Sequence, residues 1–366
     1  MCSDEVRESS CRRIGTCQDR YHEDGVSCSQ RGSQLTVSIV IATFNRSKSL
    51  EGTLKSVLLQ TASPSEVIIV DDSTTEEVKT LVGLISQQFI ERSVRIHYAR
   101  NPGRRSLPVA RNIGSSLARG DVVMFLDDDV TLERSYVRQI LEVFETHPRA
   151  KGVQGFWMAG HSATLAFRLM NVLNRMFFIN FYEKDRCRVL SSFMTTYPHT
   201  LAGTKECQWL SGCNQSYLRS VFDRFQFDEN LAKYAPGGED VDFSYRICRS
   251  YPDSLFITPD ARLIHRAEST GRMAKKELLL LQAAYRYYLF FRDIEQTRKN
   301  RFIYSWSTLG LALSSLVPLY MFKEGSRFRK VSLPEIKLMI SAHFLVHKKK
   351  KDLQVGNMTF LDQSIT

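Results

Sequence analysis

Eight cysteines are scattered along the chain without a single C-x-x-C pair. That spacing argues against a zinc ribbon and, in a chain of 366 residues, against a disulfide scaffold. Free thiols in a reducing compartment are the simpler expectation. No apolar run follows the initiator methionine, so no secretory signal is expected, and the polar first 33 residues read as a flexible tail. Internal repeats are absent. Glycine is missing from the loop after the first β-rich run, Thr43-Phe44-Asn45-Arg46. A G-x-G-x-x-G dinucleotide site is therefore excluded there, and a nucleotidyltransferase, which would carry a Gly-rich basic loop at that point, is disfavoured.

What is present suits a folded α/β protein. The apolar fraction is 43% and the charged fraction 24%, enough for a sizeable core. The formal net charge is +11, but much of the basic excess lies between Arg286 and Lys351, and the acids before it come in tight clusters. A nucleic-acid face would be more uniformly basic, so no nucleic-acid partner is expected.

Short β-rich runs alternate with helical patterns from about Leu35. The spacing predicts strands at 37–42, 67–70, 94–98 and 121–126, with helices beginning at Ser47 as a cap, at Glu76 and at Pro108. The first run is too apolar for an edge strand. Strands and helices in strict alternation imply a mostly parallel sheet covered on both faces, with ligands at the rim beyond the strand ends. Further on, 165–182 reads as an amphipathic helix, 207–212 as a strand, 239–251 as a helix, 255–257 and 261–264 as two short strands, and 274–294 as a long helix.

Three constellations carry chemistry. Asp127-Asp128-Asp129 ends a buried apolar strand, where adjacent carboxylates repel unless water, hydrogen bonds or a cation offsets the cost. A hard divalent cation does so well; a solvated acidic turn is the alternative. Gly237-Gly238-Glu239-Asp240 lets the backbone approach a ligand and then opens a helix with two acids. Acids at a helix N-terminus are also favoured by the dipole alone. Asp71-Asp72 ends the second strand, placed either to bind a nucleobase or ribose or to cap the next helix.

Together the motifs resemble glycosyltransferase family 2, which has the fold called GT-A. They run Ser38-Ile39-Val40-Ile41-Ala42-Thr43-Phe44-Asn45-Arg46, Val67-Ile68-Ile69-Val70-Asp71-Asp72-Ser73, Ala110-Arg111-Asn112-Ile113-Gly114, Gly120-Asp121, Phe125-Leu126-Asp127-Asp128-Asp129, Leu210-Ser211-Gly212-Cys213-Asn214 and Gly238-Glu239-Asp240. Their order and spacing over roughly residues 35–270 carry the likeness, although the family often has proline where this chain has Thr43. The resemblance implies an inverting, metal-dependent transfer of sugar from a UDP- or GDP-sugar, with Mg2+ or Mn2+ as cofactor. It implies that Thr43, Asn45, Asp72, Arg111, Asp127 and Asp128 serve the donor, that Asp129 and Asp127 hold the metal, and that Gly212 and Asn214 line the acceptor side. Asp240 would be the general base, with Glu239 beside it. His265 follows a strand where related enzymes place a metal- or phosphate-facing histidine; a structural histidine is the alternative. A non-catalytic nucleotide-sugar-binding protein is the rival reading. These motifs set a glycosyltransferase domain at 34–272 and a basic helical region at 273–366.

Residues 302–322 carry no charge, yet five are Ser or Thr and Pro318 interrupts them. Basic residues flank both ends, and a full crossing would strand the basic run at 347–351. The expectation is an interfacial or re-entrant segment on the cytoplasmic face of a membrane, with a lipid-linked acceptor; a buried helix pair, in a cytoplasmic protein, is the alternative.

Overall fold

The computed structural model describes residues 35–103, 105–157, 165–231, 237–266, 275–316 and 333–361. The tail expected over 1–33 lies outside the described residues. Four strands come first, β1 (Val37–Thr43), β2 (Glu66–Asp71), β3 (Arg95–Arg100) and β4 (Val122–Leu126), linked by α1 (Ser47–Leu58), α2 (Glu77–Glu91) and α3 (Leu107–Leu117). Next come β5 (Val130–Leu132), α4 (Tyr136–Thr146), β6 (Gly152–Trp157), α5 (Leu165–Met176), β7 (Phe181–Lys184), β8 (Thr196–Thr200), β9 (Lys205–Cys207) and β10 (Gln215–Leu218). The chain continues through α6 (Glu239–Ser250), β11 (Leu255–His265), α7 (Lys275–Asp293), α8 (Arg298–Leu316), α9 (Leu333–Lys348) and α10 (Lys350–Gln354).

The main sheet runs β3-β2-β1-β4-β10-β6-β11-β5, with β9 paired to β11. Its long ladders, including β1 with β2 and β4, are parallel; β10 enters antiparallel between β4 and β6. β1 is central, as its apolar run requires, and its side chains alternate between two cores. Ile39 and Ile41 pack with α1, α2 and α4, while Val40 faces α3, α6 and α7. Gly114 on α3 sits against Val40 so closely that a Cβ there would lie 2.2 Å from Val40 Cγ1. The core on that second face continues without a break into Leu281, Leu289 and Phe290 of α7 and Ala342 and Val346 of α9. The boundary expected near residue 272 lies outside the described residues.

Several local expectations are corrected. Ser47 is the first helical residue of α1, preceded by Arg46 at the cap position, and its hydroxyl donates to Glu77 at 3.0 Å. The helix expected through 182 ends at Met176. Phe178 takes a positive φ of 52°, and Asn171 brackets Tyr182 through its backbone N–H and C=O, so the chain reverses into β7. The strand expected at 207–212 stops at Cys207. Trp209 and Leu210 are buried without a ladder, the indole donating to Thr196 and the Leu210 N–H to Ser244. The two strands at 255–257 and 261–264 are one, β11, with an irregularity between Thr258 and Arg262. Among the described residues no helix is long and apolar enough to cross a membrane. The uncharged segment 302–322 is α8 as far as Leu316; its remainder lies outside the described residues.

α6 is tied to α7 by charge. Asp242, fully buried, accepts from Arg246 at 3.0 Å and pairs with Arg292, which also reaches Asp228 and Asp293. Removing one buried partner leaves the others uncompensated. Asp242→Ala is expected to lower folding stability by roughly 2–4 kcal/mol, read as a shift in the urea midpoint at unchanged slope.

Candidate active site

β1 and β4 are parallel neighbours and end at the same rim of the sheet. Beyond β4 the three aspartates diverge. Asp128 turns toward the loop after β1, accepting from Thr43 Oγ1 at 2.7 Å and Arg46 Nη1 at 3.1 Å. Asp127 and Asp129 face His265, Asp129 also lying 3.6 Å from Arg46 Nη1. β11 pairs antiparallel with β5, which sets His265 opposite Val130, one residue past the triple acid. The imidazole Nε2 then lies 3.0 Å from Asp129 and 3.6 Å from Asp127. Ligand atoms of these three residues fall within 4.8 Å of one another. Two carboxylates and an imidazole at that spacing fit a divalent cation.

The second acidic group arrives on α6. Gly237 and Gly238 take φ values of 76° and 107°, a turn that side-chain-bearing residues rarely make, and Glu239 and Asp240 begin the helix. Arg111, buried on α3 (3% exposed), joins the two groups. It donates to Glu239 at 3.0 Å and to the Gly212 carbonyl at 3.0 Å, lies 3.6 Å from Asp127, and sits over the Phe227 ring at 5.4 Å. The Asp240 carboxylate accepts from the Gly212 N–H and the Val241 N–H, both at 2.8 Å. A Cβ at Gly212 would meet Arg111 Nη2 at 2.9 Å and Asp240 Oδ2 at 3.2 Å, so a side chain there would displace the ends of both.

The result is one cleft of about 600 Å³. It is lined by Thr43, Arg111, Asp127, Asp128, Asp129, Gly212, Glu239, Asp240 and His265 of the residues expected from sequence. Burial and crowding raise the acids. Burial, with the charge of Asp240, pushes Glu239 up to about 7 against the pull of Arg111. Burial pushes Asp128 up to about 6 against Arg46 and Thr43. Asp127 is raised by burial too, opposed by Arg111 and His265. Such acids crave positive charge.

Three expected residues lie off the cleft. The Asn45 backbone N–H donates to Ser73 and its side-chain carbonyl oxygen accepts from Thr74. Asp72 is buried and accepts from the Ser106 N–H at 3.2 Å, bracing the entry to α3. Asn214, expected on the acceptor side, is fully buried, and its side-chain amide donates to the Gly155 carbonyl at 3.0 Å. Conversely, Arg46, Trp157 and Gln282 line the cleft. Arg46 stood within the first motif with no role given to it. Trp157, edge-on to His265 at 6.1 Å, ends β6, for which no strand was expected. Gln282 carries no local signal.

An acid-lined cleft at the rim of a mostly parallel sheet suits a GT-A glycosyltransferase fold. The family model for Glycosyl transferase family 2 matches residues 38–225, just over half of the chain, and the protein belongs to that family. A glucosyl-dolichyl phosphate glucuronosyltransferase of Haloferax volcanii is 34% identical over 126 residues, 33% of this chain and 38% of that protein. The chain spans about a third of the length of the curated relatives it matches. GalNAc-T7, solved with UDP, GalNAc and Mn2+, superposes with a TM-score of 0.53 at 19% identity, covering 79% of this chain and 59% of that one. The mannosyltransferase PcManGT of Pyrobaculum calidifontis, solved with GDP-Man and Mn2+, gives 0.51 at 15% identity, covering 89% and 86%. At those identities the two structures establish the shared fold.

The raised acids fix a pH signature. Each holds its proton more tightly folded than unfolded, so its contribution to stability is complete below the unfolded value and fades as pH climbs through about 6 to about 7. Asp127, which burial also raises, must be ionised to hold a cation. The gain in Tm produced by Mn2+ over chelator is therefore expected to grow from about pH 5 to about pH 8, and to vanish in Asp129→Asn, in a differential scanning fluorimetry series.

Proposed function

We propose that the protein is an inverting, metal-dependent glycosyltransferase that moves a sugar from a UDP- or GDP-sugar to an acceptor hydroxyl carried on a lipid-linked glycan or lipid phosphate. One observation carries this reading: the acids at 127–129 and 239–240 and His265 converge on a single cleft at the rim of the parallel strands. Family membership supports the reaction class, and the relatives solved with UDP or GDP-Man and Mn2+ support the donor class and the metal.

Asp127, Asp129 and His265 would hold the cation; the imidazole favours Mn2+ over Mg2+, which prefers all-oxygen ligands. A bound divalent cation supplies charge neutralisation to the departing diphosphate. The remaining work falls to side chains. Asp240 presents a carboxylate fixed by two backbone N–H groups, with lone pairs left to accept a proton from the acceptor hydroxyl. The acceptor oxygen bonds to the anomeric carbon as the bond to the diphosphate oxygen breaks on the opposite face, and the proton ends on Asp240. Glu239, held by Arg111, is placed to bond a sugar hydroxyl. Thr43 and Arg46 hold Asp128 and shape the nucleotide end of the cleft.

A membrane surface is part of the proposal. Nine large apolar side chains stand exposed on α5 with its exit, α8 and α9, including Val172, Phe302, Leu309 and Phe344. α5 and α8 are joined by Phe177 stacked on Trp306 at 5.0 Å and by the Trp306 indole donating to Met176. An apolar face of this extent with Arg298, Lys299 and Arg301 beside it suits an anionic leaflet, and the relative that acts on a dolichyl phosphate supports a lipid-borne acceptor. The unpaired thiols Cys187, Cys207, Cys213 and Cys248 accord with the cytoplasmic side.

Two measurements test the reading. In a screen of nucleotide sugars with Mn2+, Mg2+ or chelator, one donor should release nucleoside diphosphate only with metal. On that donor Asp240→Asn should lower kcat by about 10²–10⁴-fold with donor affinity nearly intact. Loss of donor binding in that variant would remove Asp240 as the base. In flotation, the protein should rise with anionic vesicles and Phe302→Ser with Phe344→Ser should remain below; an intact protein that ignores such vesicles defeats the membrane assignment.

A further inference from the structure

A second cavity, of about 360 Å³, lies behind the first turn of α6. Gly237 and Gln282 border both this cavity and the catalytic cleft. The turn is a common wall: Glu239 and Asp240 face the cleft, while Gly238 and Val241 face the cavity. The rest of the lining is largely apolar, with Phe193, Leu279, Ala283, Leu289 and Leu311 among it.

One strong cation stands in that apolar lining. Arg286 of α7 is 8% exposed. Its guanidinium donates to the Ser192 carbonyl at 3.4 Å, Thr308 Oγ1 at 3.1 Å and the Tyr304 carbonyl at 3.5 Å, and packs 4.5 Å from the Tyr304 ring. All three partners are neutral, two sit at the limit of a hydrogen bond, and a guanidinium has five N–H groups. The neighbouring buried or half-buried arginines differ. Arg111, Arg246 and Arg292 each hold a carboxylate, whereas among the described residues Arg286 forms no ion pair. A buried cation lacking a counter-charge is costly, and burial pulls its pKa below the ordinary arginine value. A fork of N–H groups in an apolar chamber matches a phosphate monoanion or dianion joined to a hydrocarbon. His343 of α9 borders the same chamber, and Leu311 belongs to α8, whose Leu309 and Leu313 are exposed. The chamber thus adjoins the helices that carry the apolar surface.

We propose that this cavity binds the acceptor's lipid phosphate: the phosphate oxygens pair with Arg286 and the hydrocarbon lies along the apolar wall. The sugar-bearing end then reaches Asp240 past Gly237 and Gln282. This last step rests on the transferase reading above; the binding of a lipid phosphate at Arg286 does not.

Calorimetric titration of the full-length protein in detergent, without donor, tests it with three probes: polyprenyl monophosphate, the matching neutral polyprenol and inorganic phosphate. The lipid phosphate should bind at least about tenfold more tightly than either other probe, since a charge-assisted bidentate pair is worth that much or more. Arg286→Gln should erase the preference for phosphate over alcohol, and Ala283→Leu, which fills the chamber, should weaken both lipids. Equal binding of phosphate and alcohol by the wild type overturns the proposal, as does a preference that survives Arg286→Gln. Inorganic phosphate bound as tightly as the lipid overturns it in favour of a free anion. If Arg286→Gln does not fold, Ala283→Leu decides alone, and unchanged lipid affinity there is a refutation. A wild type that binds the lipid phosphate yet releases no nucleoside diphosphate from any donor would sink the transferase reading and leave this site standing.

Discussion

The active-site acids can share a cleft because one buried guanidinium holds them there. Arg111 contacts Glu239, Asp127 and the Gly212 carbonyl at once, from a helix that precedes β4 in sequence. Without it, Glu239 would lose its ion-pair partner and Asp127 would keep His265 against burial and its acidic neighbours. Its position is itself fixed by packing, with Phe227 beneath its plane and glycine at 212 leaving room for it. The pairing also divides labour. Glu239 is occupied by the arginine, while Asp240 is braced by backbone N–H groups and keeps acceptor capacity in reserve.

α6, which carries Glu239 and Asp240, is packed by Phe243 and Ile247 into the same apolar cluster as α7, α9 and the Val40 face of the sheet. The Asp242–Arg292 ion pair adds a charged tie between α6 and α7 to the apolar one.

The sequence was most readable where a strand is buried on both faces. Val37–Thr43, Glu66–Asp71 and Val122–Leu126 are runs of β-branched and aromatic residues that suit no other setting, and the polar residues after them mark the rim. Acid clusters were readable because clustered carboxylates at strand ends need a physical excuse. What stayed hidden was decided by tertiary contact. Trp209 and Leu210 are as apolar as a strand, but the Leu210 N–H donates to the Ser244 hydroxyl and the Trp209 indole to the Thr196 carbonyl. Asn214 looks polar and ligand-ready in the motif, yet its amide is consumed by Gly155. No local pattern distinguishes Gln282 or Arg286 from other residues of a long helix; their importance arises from what α6 and α8 bring alongside.

β10 deserves a last consideration for the direction in which it runs. It is antiparallel to both β4 and β6, so the direction reverses between the parallel group β3-β2-β1-β4 and the parallel pair β6 and β11. The two parts of the sheet meet through its short ladders, Ser216 to Leu218 on β4 and Gln215 to Tyr217 on β6. A strand of four residues thereby fixes how the rim at the triple aspartate stands to the rim at Trp157.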